Sequence, residues 1–306
     1  MTALTQRDES REIRRLLALG PGDGWHADRL RTAANRRGFE LAYAPYESLC
    51  ATIDASGNSI IKCQVGQLHD FSAVLCRTMP GGSLEQISFR LATLHAAYAS
   101  GHRVVNPPRT LELAIDKYAT LDIVAKLGYP VPETIVVQNR QEAVEAFRHL
   151  GGDIVVKPIF GGEGKGVMRV RDPQLAWYTF STLEKLNAVL YLQRFVPPGG
   201  RDIRMLVIGE QILGIRRTNE RDFRTNVAIG GRAEPTALGV NLRQMSRCIA
   251  DSLSLGIGSV DVIDCPKNGH VVVEVNAVPG WKGAQTCFGF DLADAMIDYL
   301  INQKTP

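Results

Sequence analysis

The chain has 306 residues, 45% of them hydrophobic and 22% charged, which is typical of a globular protein with two or three packed units. Its formal net charge of +3 is too small to predict a nucleic-acid-binding protein. The longest apolar runs fall well short of the roughly 20 residues that cross a bilayer. Charges also interrupt residues 1–20, where a signal peptide needs an apolar segment. We therefore expect a cytoplasmic protein without a membrane span.

Strand-like and helical segments alternate along the first third of the chain. Apolar runs predict strands at 14–21, 39–45 and 71–78, and amphipathic patterns predict helices at 25–38 and 84–101. This alternation predicts a small parallel α/β domain over residues 1–105. The glycine-rich segment GPGDG follows the first strand but lacks the G-x-G-x-x-G spacing of a dinucleotide-binding loop, so no cofactor is predicted there.

Two consecutive prolines, Pro107 and Pro108, predict a domain boundary after residue 105, because they force an extended backbone that no helix can cross. Beyond this point, helices are predicted at 109–128, 140–152, 172–186, 241–256 and 291–303. Apolar strands lie between them. The second part of the chain is therefore also a mixture of helices and strands.

The segment IVVKPIFGGEGKGV combines a lysine with a glycine-rich loop. An apolar strand ends at Lys157, and the glycines that follow are Gly161, Gly162, Gly164 and Gly166. Such a loop lets backbone N–H groups approach phosphate oxygens, and a lysine on a strand supplies a fixed positive charge. It is not a Walker A loop, because the lysine precedes the glycines. A plain hairpin with a solvated lysine is the alternative that this segment alone leaves open.

Two carboxylates and an amide fall in a predicted β-hairpin, GSVDVIDCPKNGHVVVEVNAVPG. Strand alternation places Glu274 and Asn276 on one face. A register that pairs Asp264 with Val271 sets Asp261 opposite Glu274. Oxygen ligands that converge in an apolar hairpin repel one another unless a cation lies between them, and Mg²⁺ suits such a set. The alternative is a solvent-facing strand with ordinary acidic residues.

Arginines cluster in the segment GIRRTNERDFRTN, at Arg216, Arg217, Arg221 and Arg224. Near a nucleotide site such arginines hold a transferring phosphoryl group, an acidic substrate or an oxyanion; otherwise they form a solvated basic loop. In the preceding strand, Asp202 has two interpretations. One is a hydrogen bond to a ribose, and the other is an ion pair with Arg201 or Arg204.

In this order, the segments from about residue 116 onward resemble the ATP-grasp enzymes, and within them the RimK-like α-L-glutamate ligases. The motifs are DK, VVKPIFGGEGKGV, RDIRMLVIG, RRTNERDFRTN, GVNL, SVDVI and VEVNAVPG. The resemblance implies an ATP-grasp fold of the α/β (α+β) class. It divides the chain into an N-terminal domain (1–105), a central subdomain with a glycine-rich lid (106–190) and a C-terminal subdomain with a Mg²⁺ site (191–306).

The resemblance also implies roles for individual residues. Those similar to the nucleotide-binding residues are Lys117, Lys157, the four glycines of the lid, Asp202, Arg224 and Asn226, and those that match the Mg²⁺ ligands are Asp261, Glu274 and Asn276. The adenine hinge of the family commonly reads Q-E-[YF], and here it reads Gln193-Arg194-Phe195. Arg194 cannot accept a hydrogen bond from a ribose as a glutamate can.

The activity that the resemblance implies is the joining of a carboxylate to an amine. The γ-phosphoryl group of ATP passes to a carboxylate, with Mg²⁺, or Mn²⁺ in its place, and Lys157 stabilising the charge. The amine then attacks the acyl phosphate, and Arg216 or Arg224 holds the tetrahedral intermediate. The added amino acid is expected to be L-glutamate.

The acceptor is left unidentified, either a protein tail or a pterin-type coenzyme. Trp281, just past the hairpin, either stacks on such a planar ligand or caps the core. Two other functions stay open: another ATP-grasp ligase that makes a dipeptide or glutathione-like product, and a non-catalytic ATP-binding regulatory protein. A homo-oligomer, dimer or tetramer, is also left open.

Overall fold

The computed structural model describes residues 14–162, 164–267 and 269–302. The chain divides into two compact units, residues 1–105 with 300–306, and residues 106–299. The first division falls where the two prolines predict a boundary. Within the described ranges, no helix is both long and apolar enough to cross a membrane. The first 13 of the 20 residues considered for a signal peptide lie outside the described ranges.

The first unit is built on a parallel sheet. Its elements are β1 (Arg14–Leu19), α1 (Gly24–Arg36), β2 (Phe39–Ala44), β3 (Cys50–Ile53), β4 (Ser59–Cys63), β5 (Gly66–Gln67), β6 (Val74–Cys76), α2 (Leu84–Ala99) and β7 (Val104–Val105). The strand order is β2-β1-β6-β7, and every neighbouring pair is parallel. The predicted parallel α/β arrangement is therefore confirmed.

A three-stranded antiparallel sheet, β3-β4-β5, was not predicted. All four residues of β3 are exposed, so the alternation of buried and solvent-facing residues that reveals a strand is missing there. The turn between β3 and β4 is stabilised by Asp54, whose Oδ1 accepts hydrogen bonds from the backbone N–H groups of Ser56 (2.8 Å) and Asn58 (2.9 Å).

The remaining elements follow the two prolines. They are α3 (Pro108–Ile115), α4 (Lys117–Lys126), β8 (Thr134–Val137), α5 (Arg140–His149), β9 (Ile154–Lys157), β10 (Met168–Val170), α6 (Pro173–Lys185), β11 (Leu190–Arg194), β12 (Arg201–Ile208), β13 (Gln211–Thr218), β14 (Arg232–Pro235), α7 (Val240–Ser252), β15 (Ile257–Cys265), β16 (Gly269–Asn276), α8 (Lys282–Gln285) and α9 (Leu292–Asn302).

Two antiparallel sheets organise this unit. The four-stranded sheet has the order β10-β9-β11-β8, and α5 and α6 pack against it around buried side chains such as Phe147, Ile154 and Phe180. The five-stranded sheet has the order β14-β13-β12-β15-β16, with α7 on β12, β13 and β15. Because β11 belongs to the first sheet, that sheet extends to Arg194, past the subdomain boundary expected at 190.

The predicted helix at 109–128 is wrong as a single element, since it breaks at Asp116. This residue has an extended backbone (φ −98°, ψ 110°), and its Oδ1 accepts hydrogen bonds from the N–H groups of Tyr118 (2.8 Å) and Ala119 (3.1 Å). Aspartate stabilises a helix start in this way, so α4 begins at Lys117. Both α3 and α4 pack against β16, which brings Lys117 to the hairpin that carries the predicted metal ligands.

Candidate active site

Two lysines from different elements approach the same carboxylate. Lys157, at the end of β9, is partly buried and donates a hydrogen bond from Nζ to Gln193 Oε1 (2.7 Å) on the neighbouring strand. Lys117 Nζ lies 3.8 Å from Glu274 Oε1. Burial lowers the pKa of Lys157 to about 8, while the Glu274 carboxylate opposes the shift. Burial also lowers the pKa of Lys117. The two ammonium groups form a cationic pair that an anionic ligand would neutralise.

Side chains from two other segments contact the glycine-rich loop 158–167. Lys117 Nζ donates to the carbonyl of Gly161 (2.6 Å), and Arg224 Nη1 donates to the carbonyl of Gly164 (3.2 Å). Gly164 has a φ of +72°, and a Cβ there would lie 2.6 Å from Asn226 Oδ1. Glycine is therefore required at this position both by its backbone conformation and by the close approach of Asn226.

The predicted hairpin is confirmed, and Asp261 lies opposite Glu274 as expected. The register inferred nearer the turn is wrong, because Val271 pairs with Ile263 rather than with Asp264. A register shift between Asp261 and Val262 accounts for the difference, since an extra residue on β16 restores the expected pair. Asn268 of the turn is outside the described residues.

Asp261 is the centre of a buried ion-pair network. Arg204 donates to both carboxylate oxygens, from Nε (2.8 Å) and Nη2 (2.7 Å), and Arg217 Nη2 donates to Oδ2 (2.9 Å). Only 2% of Asp261 and 5% of Arg217 are exposed. Burial alone would raise the pKa of Asp261, but the two guanidiniums outweigh it and hold that pKa below its ordinary value. Asp261 is therefore ionised at neutral pH.

Asp202 does not pair with Arg201 or Arg204, the two partners considered from the sequence. Its carboxylate accepts hydrogen bonds from Arg217 Nε (2.7 Å) and Nη2 (2.6 Å), and from the Thr225 hydroxyl (2.6 Å). The pairing partner is 15 residues away in sequence and lies directly opposite on β13. Arg217 thus joins Asp202 to Asp261.

The neighbouring Arg216 lies on the other face of β13. Its guanidinium is half exposed and 3.6 Å from Glu234 on β14. Successive residues of a strand point to opposite faces, so only one of the two arginines can reach the cleft. The structure does not bring Arg216 there, and Arg217 occupies the position instead.

The hinge segment, Gln193-Arg194-Phe195, borders the same space. Arg194 directs its guanidinium to Glu133, with Nε donating to Oε2 (2.9 Å), and its backbone N–H donates to the Glu133 carbonyl (2.8 Å). The Arg169 guanidinium covers the Phe195 ring at 3.4 Å from its centre. Phe195 is therefore a fixed apolar wall, and the Arg194 guanidinium is engaged by a carboxylate.

Many of these groups line one cleft that encloses about 890 Å³ with its open mouth included. The predicted residues that line it are Lys117, Lys157, Gly161, Gly162, Gly164, Gln193, Arg194, Phe195, Asp202, Arg224, Asn226, Asp261 and Glu274. Those that do not are Gly166, Arg216 and Asn276. Gly166 packs on Pro158 at the base of the loop, and Asn276 follows Glu274 by two residues on β16.

The donors of this cleft suit a hard cation, with one constraint. Asp261 and Glu274 are oxygen donors opposite each other, as Mg²⁺ prefers. A carboxylate has about four lone-pair positions. The Asp261 carboxylate already accepts three hydrogen bonds from arginine N–H groups, so roughly one position is free for a cation. Within the described residues, no group of three or more His, Cys, Asp or Glu is placed to hold a metal. The residues therefore fit an ion that takes most of its ligands from ATP.

Sequence reasoning missed Arg204 as a site residue and Asn106 as a structural one. Asn106 Nδ2 donates to the carbonyls of Ile257 and Ala277 (both 2.7 Å), and Oδ1 accepts from the N–H groups of Gly256 (2.8 Å) and Ile257 (2.9 Å). These four bonds tie the start of β15 to the end of β16. For Arg204, the signal was its spacing of two from Asp202, which places both on one strand face.

Trp281 is fully buried and therefore offers no ring face to a planar ligand. The structure therefore supports the interpretation in which Trp281 caps the hydrophobic core. The burial removes the residue-level argument for a pterin-type acceptor.

A glycine-rich loop and two lysines share one cleft with the paired carboxylates of an antiparallel sheet, as the resemblance to ATP-grasp enzymes leads us to expect. Residues 114–300 match the model of the RimK-like ATP-grasp domain, and the chain belongs to that family. It is accordingly an ATP-dependent carboxylate–amine ligase, of a class that uses ATP with Mg²⁺.

Known proteins resemble the chain over almost its whole length. It is 29% identical to the tetrahydromethanopterin:alpha-L-glutamate ligase of Methanosarcina acetivorans, over 94% of this chain and 98% of that protein. It is 30% identical to a probable alpha-L-glutamate ligase of Klebsiella pneumoniae, over 91% and 92%. The solved structure of the ATP-grasp ligase PsnB, complexed with a phosphomimetic variant of minimal precursor, Mg and ADP, has a TM-score of 0.73 at 20% identity, covering 94% and 97%. The last likeness shows the fold alone.

Proposed function

We propose that this ligase joins the amine of L-glutamate to a carboxylate of an acceptor, through an acyl phosphate formed from ATP. The observation that carries the proposal is the cleft in which Lys117 and Lys157 meet the Glu274 carboxylate under a glycine-rich loop. The choice of glutamate rests on the two relatives, both described as alpha-L-glutamate ligases.

The residues of the cleft have distinct roles in this proposal. Lys117 and Lys157 bind the phosphates of ATP, and loop 158–167 excludes water from the acyl phosphate. In binding phosphate, Lys117 exchanges its hydrogen bond to the Gly161 carbonyl for one to ATP. Glu274 and Asp261, which line the cleft, would hold Mg²⁺, which neutralises charge on the transferring phosphoryl group when bound. Asn276, two residues beyond Glu274 on the same face of its strand, is the third ligand that we propose.

We assign Arg224 to the reacting groups and Arg217 to the positioning of Asp261. Both line the cleft, whereas the Arg216 side chain faces Glu234 on the opposite side of the sheet. Arg224 already donates to the loop carbonyls, so it couples loop position to the phosphate site. Arg217 is fully engaged by two carboxylates and fixes Asp261 in place.

Several finer features belong to the same proposal. The acceptor is a protein tail or a pterin-type coenzyme, as the name of the Methanosarcina acetivorans relative suggests for the latter. We further propose that Mn²⁺ can replace Mg²⁺, that the enzyme is cytoplasmic, and that it assembles as a dimer or tetramer. The division of the chain after residue 105 into subdomains 106–190 and 191–306 also remains a proposal.

The test is Mg²⁺-dependent ADP release from ATP with L-glutamate, using peptide, pterin and amino-acid acceptors in parallel and following product mass. Lys157→Met should abolish ADP release, because the phosphates lose a cation held in the cleft. Lys126→Met is the matched control: this lysine ends α4, is exposed, and pairs with Asp122 on its own helix (2.5 Å). It should leave the rate unchanged.

Each outcome decides a separate part of the proposal. A product heavier by one glutamyl unit establishes glutamate and identifies the acceptor. Turnover only with another amine retains the ligase and discards glutamate. ATP binding without turnover on any acceptor would favour a regulatory nucleotide-binding protein instead.

A further inference from the structure

The carboxyl edge of the parallel sheet in the first unit has the geometry of a ligand site. In the order β2-β1-β6-β7, the chain leaves β1 toward β2 on one side, while β6 and β7 lie on the other side. The loop after β1 therefore runs to one side of the sheet and the loop after β6 runs to the other, which leaves a crevice between them. In open α/β sheets, ligands bind in such a crevice, outside the carboxyl ends of the strands.

The two loops meet at a glycine and then separate. Gly20, directly after β1, has a φ of +136°, and a Cβ there would lie 2.9 Å from Arg77 Cβ. Arg77 directly follows β6, and its backbone N–H donates to the Leu19 carbonyl (2.8 Å). The glycine-rich segment GPGDG thus has a steric reason for its first glycine. That close approach places the Arg77 side chain beside the loop.

Two guanidiniums lie near one phenol at this edge. Arg31 of α1 covers the Tyr43 ring, with its guanidinium carbon 4.6 Å from the ring centre, and it donates to the Gly22 carbonyl. The charge of Arg77 also acts on Tyr43, since burial raises the pKa of that phenol to about 12 while Arg77 and then Arg31 oppose the shift. A Cβ built at Gly20 would lie 2.9 Å from Arg77 Cβ, and one built at Gly22 would lie 3.5 Å from Arg31 Nη2, so the two arginines flank the same short loop.

The two arginines differ in their carboxylate partners. Within the described part of the chain, no Asp or Glu oxygen lies within 4.0 Å of the Arg77 guanidinium, whose electrostatic neighbours are the phenols of Tyr43 and Tyr46. Burial lowers the pKa of Arg77, and the phenols oppose this only partly. Arg31 has Asp28 at 3.3 Å, but that carboxylate is 72% exposed, so solvent screens it.

We propose that the crevice between β1 and β6 binds an anionic group of a ligand, a carboxylate or a phosphate, through Arg77 and Arg31. A guanidinium recognises either anion by paired N–H donors. The anion also offsets the cost of burying the Arg77 guanidinium. This site lies in the first unit and is additional to the ATP cleft. The bound anion is either a carboxylate of a substrate or the phosphate group of a metabolite.

The test is calorimetric titration of the full chain with glutarate and, separately, with inorganic phosphate. ADP and Mg²⁺ are present in excess, so that the nucleotide cleft does not take up the probe. At least one probe should bind the wild type, and Arg77→Gln should weaken it about tenfold or more, as expected for the loss of a charged hydrogen bond. The control is Arg14→Gln, an exposed arginine at the opposite end of β1, which should bind as the wild type does.

Because Arg77 is packed against a loop, Arg31→Gln provides a second variant at a more exposed position, and circular dichroism checks that both fold. Arg31→Gln should also weaken binding of the probe. Binding of glutarate alone assigns the site to a carboxylate, and binding of phosphate alone assigns it to a phosphate group. The proposal is overturned if neither probe binds, or if folded Arg77→Gln and Arg31→Gln bind as tightly as the wild type.

Discussion

Replacing Arg217 with methionine should destabilise the five-stranded sheet, because this arginine is shared by two buried carboxylates. In the wild type, it donates two hydrogen bonds to Asp202 and one to Asp261. Methionine occupies a similar volume but donates none. Asp202 is then left with the Thr225 hydroxyl, and Asp261 with Arg204.

Removing one partner of a buried ion pair costs about 3–5 kcal/mol of unfolding free energy. The matched control is Arg216→Met, the same substitution one residue earlier on β13. The Arg216 guanidinium is half exposed and 3.6 Å from Glu234, a pair worth about 1 kcal/mol or less. The two variants lose the same charge from opposite faces of β13.

The unfolding free energy lost in Arg217→Met should also be smaller at low pH. In the wild type, the guanidiniums outweigh burial and hold the pKa of Asp261 below its ordinary value, so its ionised form stabilises the fold above about pH 4 and that stabilisation is lost as the pH falls. Without Arg217, the pKa of this carboxyl group rises relative to the wild type, because Arg204 alone then opposes burial. The variant has less of this pH-dependent stabilisation to lose, so its difference from the wild type narrows as the pH falls below about 4.

Amide hydrogen exchange of β12, β13 and β15, followed by mass spectrometry, measures the local opening free energy. Arg217→Met should show faster exchange in all three strands at neutral pH, and Arg216→Met should resemble the wild type. Equal changes in both variants, or a loss below about 1 kcal/mol for Arg217→Met, would refute the assignment of a buried network.

Three further substitutions and conditions test the cleft. Gly164→Ala should lower kcat/KM for ATP far more than Gly162→Ala does. A Cβ at Gly164 would lie 2.6 Å from Asn226 Oδ1, whereas one at Gly162 would meet nothing within 4 Å. Equal kcat/KM values in the two variants would contradict a loop that closes on Asn226. Glu274→Gln should abolish Mg²⁺-dependent ADP release and leave the circular dichroism spectrum intact, and normal turnover would remove Glu274 from the metal site. Calorimetry should show ATP affinity falling as the pH rises through about 8, where Lys157 loses its charge, with little pH dependence in Lys157→Met.

Local patterns were sufficient for most of the elements and for the kind of chemistry. Strand and helix periodicity revealed the parallel domain and the hairpin, and residue type selected a lysine, a glycine loop and paired carboxylates as candidates for a nucleotide site. These features depend on neighbours close in sequence. The Asp116 break was missed because a capping aspartate overrides helical periodicity within one turn, and a capping residue in mid-pattern is easily read as part of the helix.

Partner choice depended on the tertiary structure. The sequence places Arg216 and Arg217 side by side, and only the pairing of β13 with β12 decides which one meets Asp202. Asp261 likewise acquires Arg204 from β12 and Arg217 from β13, neighbours that are 57 and 44 residues away.

What the sequence by itself determined is therefore the set of candidate groups, through local periodicity and residue chemistry, and the class of enzyme, through the resemblance of its ordered motifs to a known family. The tertiary structure alone decided which face each strand presents and which charges neutralise one another. Electrostatic partners act through distances of a few ångströms, and such distances between residues far apart in the chain exist only after the strands have paired.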